Sequence, residues 1–243
     1  MQNKQSCFIW QKWKYCSKVL TTMNLPDNLI LSPWPLYAHC LLVPIVILAL
    51  WTAPWYKIKA SDSQHVFFGA IVILSFFWSI KAGITPGLNF HILGVMLFYL
   101  LFGWQFALFG LLLVLLIATI YGSSGWDTYS INALFMGVIP IFICHQLYSF
   151  VDKKLPNNYF IYVIVNGFLG GALALLSCML SNIVFLILTE TYSYKYLAYE
   201  YFPFMPLLLM PEALLNGLLI SIFVAYRPAW VSTFDDERYI KGK

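Results

Sequence analysis

Seven apolar segments punctuate the chain, at roughly residues 35–55, 66–84, 90–103, 104–122, 130–150, 159–188 and 204–226. A helix needs about 20 apolar residues to cross the hydrocarbon of a bilayer. The segments therefore predict an all-α polytopic membrane protein, a single bundle of about seven transmembrane helices. Segments 90–103 and 104–122 form one long apolar stretch in which Gly103 is the break, so the third span is short and a six-span count would fuse the two. Segment 159–188 is longer than one crossing requires, which predicts tilt or a helix running past the bilayer.

Composition agrees. Of 243 residues, 61% are hydrophobic and 10% charged, and the mean hydropathy is +0.77. A soluble domain is nearer one quarter charged. Too few charges remain to cover a water-facing surface, which excludes a soluble enzyme, a nucleic-acid module and a disordered chain. Six or seven spans leave roughly 100 residues for ends and loops, so no ATPase domain fits within the chain.

Lysine and arginine placement predicts orientation. With the segment near Met23 outside and seven crossings, the cytoplasmic side holds Lys57, Lys59, Lys153, Lys154, Arg227, Arg238, Lys241 and Lys243. The outer side holds Lys81 and Lys195. This is a positive-inside bias, with the amino terminus outside and the carboxyl terminus cytoplasmic. Residues 1–22 run against it, because Lys4, Lys12, Lys14 and Lys18 would have to be exported. The expectation is that 1–22 is a non-native extension and that the chain begins at Met23. Residues 23–230 then form the bundle and 231–243 a short cytoplasmic tail.

Cys7, Cys16, Cys40, Cys144 and Cys178 form no C-x-x-C, which argues against a thiolate metal centre and for small apolar fillers. The chain has no G-x-x-x-x-G-K-[ST], no H-E-x-x-H and no G-x-S-x-G, so neither ATP hydrolysis nor hydrolase chemistry is expected of it. Gly122-Ser123-Ser124-Gly125 reads as a tight turn between spans four and five. Gly167 and Gly171, and Gly217 and Ser221, stand at small-xxx-small spacing, which predicts close helix crossing within the bundle or a docking face for a partner subunit.

Polar groups inside a bundle are costly and often mark a site. Those that need a reason are His39, His65, His91, Asn132, His145, Asn166, Asn182, Glu212 and Asn216. The orientation sends His39, His91, Asn132 and Glu212 to the outer half, together with Met23, Asn24 and Asp27. Nitrogen and oxygen donors can thus converge at one depth, and imidazole suits nickel, copper, zinc and cobalt. Taken one by one, a histidine here also reads as a helix-bonded side chain and Asn132 as a cross-helix hydrogen-bonder. Glu212 after Pro211 reads as a stabiliser of the first turn of a restarted helix. An intramembrane carboxylate also leaves a proton-coupled carrier open.

Four stretches resemble the CbiM/NikM type of cobalt and nickel transport protein, the substrate-binding membrane permease component of energy-coupling-factor ABC transporters. Residues 23–30 (Met23, Asn24, Leu25, Pro26, Asp27 and onward) resemble the family's M-H-I-P-D-G-F-L start. Phe90-His91-Ile92-Leu93-Gly94 resembles its G-H-L-x-G segment. Gly125 through Asn132 to Met136-Gly137 and Pro140 is similar to the segment with G-x-N-x-F-x-M. Pro211 through Asn216-Gly217 resembles P-x-A-x-x-E-G, with Asn216 where glutamate is usual and Glu212 one turn earlier. The chain is a divergent member by this measure.

The resemblance implies a metal held by the Met23 amine, the Asn24 backbone nitrogen and the His91 imidazole. Asn24 stands where the family has a further ligating histidine, and His39, Asp27, Asn132 and Glu212 are the secondary candidates. It also implies no intrinsic cofactor, a divalent transition metal ion as substrate (nickel or cobalt first, copper or zinc next) and no enzymatic activity. The implied partners are a transmembrane coupling subunit and cytoplasmic ATPase subunits in a bacterial cytoplasmic membrane, with no nucleic acid. Two other readings stay open: a non-transporting binding or assembly protein with a degenerate metal site, and a proton-coupled carrier built on Glu212.

Overall fold

The computed structural model describes residues 25–27, 29–30, 32–59, 61–80, 82–83, 89–235 and 237–241. Seven α-helices dominate them. They are α1 (Trp34–Thr52), α2 (Ser61–Ser79), α3 (Val95–Ile120), α4 (Tyr129–Lys154), α5 (Tyr159–Leu188), α6 (Tyr194–Glu200) and α7 (Met205–Tyr226). Two-residue strands β1 (Ala82–Gly83) and β2 (Asn89–Phe90) pair antiparallel ahead of α3. Among the described residues, five helical stretches are long and apolar enough to cross a membrane: 34–52, 95–120, 129–154, 159–188 and 194–226. The protein is an all-α, multi-pass membrane protein. α2 is 19 residues long but opens on Ser61, Asp62, Ser63, Gln64 and His65, which lowers its apolar content.

Gly103 divides α3 into two arms, 95–102 and 104–120. Its backbone (φ 80°, ψ 171°) lies in a region open essentially to glycine alone. The chain folds back there. A Cβ on Gly110 would stand 2.7 Å from the Phe98 ring, whereas residues twelve apart along a straight helix are separated by about 18 Å. Phe67 of α2 closes the fold from the side, with its ring 5.2 Å from Phe102 and 6.2 Å from Phe106. The break expected at Gly103 is therefore a hairpin turn.

The short arm is too short to cross alone. The non-helical stretch His91–Gly94 precedes it, with Gly94 in the left-handed conformation (φ 69°), and together they span at most about 25 Å at 3.3 Å per extended and 1.5 Å per helical residue. Such a broken crossing exposes main-chain groups that lipid cannot bond, so it survives only inside protein. Leu93, Val95, Met96 and Leu100 are fully buried, with α5 and α7 packed around them.

α5 and α7 cross where the glycines sit. A Cβ on Gly167 would lie 3.1 Å from the Gly217 Cα, and one on Gly217 would fall 2.2 Å from the Phe168 ring. Gly171 abuts Asn216 and Gly170 abuts Met96 in the same way. These small residues serve contacts inside the chain, which answers the alternative of a docking face. Residues 134–138 and 162–169 are π-helical turns, and Asn166 in the second is fully buried with no hydrogen-bond partner for either side-chain amide atom among the described residues. Cys144 and Cys178 are buried free thiols in the core.

The segment after α7, expected as a tail, is packed into the bundle. The Ser232 and Thr233 N–H groups donate to the carbonyls of Leu101 (3.0 Å) and Leu100 (3.3 Å), in the last turn of the short arm. The Thr233 hydroxyl donates to Leu100 as well (2.8 Å). Tyr162 stacks edge-on with Phe234 and Tyr239, and Arg238 pairs with Asp152 at 2.5 Å. This end of the bundle gathers Lys57, Lys59, Lys153, Lys154, Arg227 and Arg238; the end that holds Leu25 carries Lys195.

Gly103→Ala is expected to cost about 1–3 kcal/mol through backbone strain at that turn. Gly69→Ala, on a helical glycine with open space around it, is the control and should be neutral or better. Thermal unfolding of the two variants in detergent separates them; equal midpoints would refute the hairpin.

Candidate metal centre

The described chain starts in a clamp. Leu25 is fully buried, and its backbone is held from both sides by Asn132 of α4. Its N–H donates to the Asn132 side-chain oxygen at 2.8 Å, and its carbonyl accepts from the Asn132 amide at 3.1 Å. The same carbonyl accepts from the Thr128 hydroxyl (2.5 Å) and the Gly125 N–H (3.3 Å). Asn132 also donates to the Ser124 hydroxyl at 2.9 Å. Two residues on, the Asp27 carboxylate accepts from the Trp126 and Asp127 N–H groups (3.1 and 2.8 Å). Gly125 makes this possible, because a Cβ there would lie 2.2 Å from an Asp27 oxygen and 2.5 Å from its nitrogen. The 122–125 turn expected from sequence is thus also an anchor for the start of the chain.

The second cluster surrounds His91. Glu212 accepts from the Leu93 and Gly94 N–H groups (2.8 and 2.7 Å), one oxygen each. Asn216, one turn on, accepts from the Leu97 N–H at 2.9 Å and donates to Glu212 at 2.9 Å. Together they cap the short arm of α3, whose first N–H groups would otherwise lie unbonded in the bundle. A carboxylate at a helix N-terminus is also favoured by the helix dipole. This differs from the sequence expectation for Glu212: α7 runs unbroken through Pro211, and the side chain serves the N-terminus of another helix rather than its own.

His91 is 8% exposed, and its ring lies 4.6 Å from that of the buried Trp78. Its Nδ1 is 3.0 Å from the Ile92 carbonyl oxygen. A carbonyl can only accept, so Nδ1 is the donor in this contact. Metal-binding histidines are commonly held in this way, with the distal nitrogen bonded to a main-chain carbonyl. Trp78 joins the two clusters. It lines a small cavity, about 10 Å³, together with Asn132 and Met136.

Of the positions expected around a metal, Met23 and Asn24 lie outside the described residues. His91, Asn132, Asp27 and Glu212 fall into the two clusters. The last three already spend their side-chain oxygens on main-chain N–H groups. His39 stands on an exposed face of α1 and bonds back to the Pro35 carbonyl at 2.7 Å. Among the described residues, no three His, Cys, Asp or Glu side chains gather as a cation site. The sequence reading did not single out Trp78, Ser124 or Thr128. Thr128 and Ser124 had a weak signal, four and eight residues before Asn132 around the Gly125 turn; Trp78 had none, since one tryptophan near a helix end reads like any other.

Asn132→Ala removes the acceptor for the Leu25 N–H and is expected to cost about 1–3 kcal/mol for an orphaned buried group. The released segment should become protease-sensitive while the rest of the bundle keeps its helicity. Limited proteolysis with circular dichroism tests this; a variant as resistant as the parent would show that the clamp does not hold the segment.

The comparisons with known proteins point the same way. No curated protein sequence is significantly similar to the chain. Among solved structures, its fold is similar to that of a truncated transition-metal transporter, with a TM-score of 0.69 at 16% identity, over 84% of this chain and 99% of that one. It is also similar to a second transition-metal transporter structure, with a TM-score of 0.68 at 16% identity, over 83% of this chain and 92% of that one. The family profile for CbiM, the cobalt uptake substrate-specific transmembrane region, matches residues 24–230. This protein belongs to the CbiM family and is a multi-pass membrane component of metal uptake.

Proposed function

We propose that the chain is the substrate-capturing subunit of an energy-coupling-factor importer for a divalent transition metal ion. Nickel or cobalt is the first choice of ion, and copper or zinc the next. The ligands are the amine of Met23, the backbone nitrogen of Asn24 and Nε2 of His91. A transmembrane coupling subunit and cytoplasmic ATPases supply the energy, in a bacterial cytoplasmic membrane with the Leu25 end outside. The basic residues at the Arg227 end support that orientation.

The observation that carries this reading is the Leu25 clamp. A chain segment is drawn into the bundle and fixed by main-chain bonds beside a cavity whose Trp78 wall covers His91. Two residues extend at most about 7 Å, so the proposed amine is tethered close to the clamp. A terminal amine and an imidazole together form the nitrogen-rich environment that nickel and copper favour. The scheme needs a free amine at Met23, hence a mature chain without residues 1–22.

The second reading is a binding or assembly protein with a degenerate site. It is favoured by Asn24 in the place of a ligating histidine. The carrier built on Glu212 loses support, since both carboxylate oxygens are engaged in capping the short arm.

His91→Ala should abolish equilibrium nickel or cobalt binding, read by calorimetry, with the unfolding midpoint close to that of the parent. Unchanged binding would favour the assembly reading. Protons compete with metal for amine and imidazole nitrogen, and free histidine titrates near 6.5. Affinity should therefore be lower at pH 5 than at pH 7.5, and equal values would count against nitrogen ligation. Intact mass measurement of metal-loaded chains should give a start at Met23; a retained 22-residue leader on those molecules would remove the amine from the scheme.

A further inference from the structure

α2 packs along α3 and leaves a furrow between itself and α7. The furrow encloses about 750 Å³. One wall is Gly69 and Ile73 of α2, the other Leu215, Leu219 and Phe223 of α7, at helical spacing, and the short arm of α3 is the floor. Nothing lies within 4 Å of the place where a Cβ on Gly69 would be, and Ile73 is 60% exposed.

The furrow is apolar along its length and changes character at one mouth. Arg227 stands there with its guanidinium 5.7 Å from the Trp230 ring, and among the described residues no carboxylate pairs with it. Lys57 lines the adjoining hollow, which shares Asp62 and Trp230 with the furrow. Asp62 lies in the first turn of α2, where the positive end of the helix offsets its charge. His65 completes the mouth. The balance is cationic, at the depth where an indole marks a membrane interface.

We propose that the furrow binds one phospholipid, its acyl chain laid between α2 and α7 and its phosphate held by Arg227 with Lys57 beside it. Charge favours this occupant over a helix of another subunit: a phosphate needs a cation at the mouth, whereas a spanning helix has no need of one at its end. Burial in the furrow adds little for a chain already in hydrocarbon. Retention comes instead from the charge-assisted guanidinium–phosphate bonds and from dispersion contacts that an empty furrow would forgo.

The test is native mass spectrometry of the full chain released from nanodiscs of mixed phosphatidylethanolamine and phosphatidylglycerol. One phospholipid should remain per chain. Arg227→Gln should lower the retained fraction about tenfold, the effect of about 1.4 kcal/mol. Gly69→Leu, which fills the open space, should lower it as far while leaving the unfolding midpoint in detergent unchanged. Lys195→Gln, at the opposite end, should have no effect. The proposal is overturned if the parent retains no lipid, if both furrow variants retain it as the parent does, or if Lys195→Gln lowers retention equally. Crosslinking of a Gly69→Cys variant to a co-expressed membrane subunit, with lipid excluded, would overturn it too.

Discussion

A helix that starts and stops inside a membrane bundle leaves its end groups with no water to bond. The short arm of α3 is such a helix, and the rest of the architecture answers to it. Glu212 and Asn216 of α7 satisfy its first N–H groups, and Ser232 and Thr233 satisfy carbonyls in its last turn. Each unmet group would cost about 1–3 kcal/mol or more away from water. α7 and the segment that follows it are thereby tied to both ends of the broken crossing. The glycines of α5 and α7 set those helices close enough for Asn216 to sit against Gly171 while it reaches Leu97.

The Leu25 clamp repeats the same solution. An irregular main-chain segment enters the bundle, and Asn132, Thr128 and Gly125 meet its polar groups one by one. Asn132 does for the first segment what Asn216 does for the short arm: an amide offers an acceptor and a donor to a backbone that has both. Both irregular segments lie next to the Trp78 wall, one through His91 and the other through the small cavity. The proposed metal site is thus built on the broken backbone and its supports.

The parts of this arrangement that were legible in sequence are those with a chemical signature in a single residue. Gly103 stands out because the uninterrupted apolar stretch around it offers no other break, and a hairpin turn at positive φ needs glycine. Asn132, Glu212 and Asn216 stand out because a polar side chain inside a bundle must have a reason. Their partners could not be read, because those partners are main-chain groups more than 100 residues away, and a backbone N–H looks the same in every residue. The Glu212 expectation went astray on this point: Pro211 suggested a local helix start, whereas the unbonded N-terminus lay on α3. The folded segment after α7 was missed for a related reason. Thr233 and Ser232 are ordinary polar residues until Leu100 and Leu101 place unbonded carbonyls beside them.

The pattern of ties also bears on how a captured ion could be passed on. The Asn132 and Glu212 clusters, the α5–α7 crossing and the segment after α7 link the crossings through buried polar bonds and glycine contacts. Parting the short arm of α3 from α7, or the Leu25 segment from α4, would break several buried hydrogen bonds at once, each with the penalty of an orphaned group. Moving the bundle as one body breaks none. Rigid reorientation driven from outside the chain is thus the motion with the smallest internal cost, in keeping with a proposed subunit that carries no energy source of its own. The furrow beside α7 fits the same picture, because a body that tilts against lipid keeps its shape only if its surface hollows stay filled.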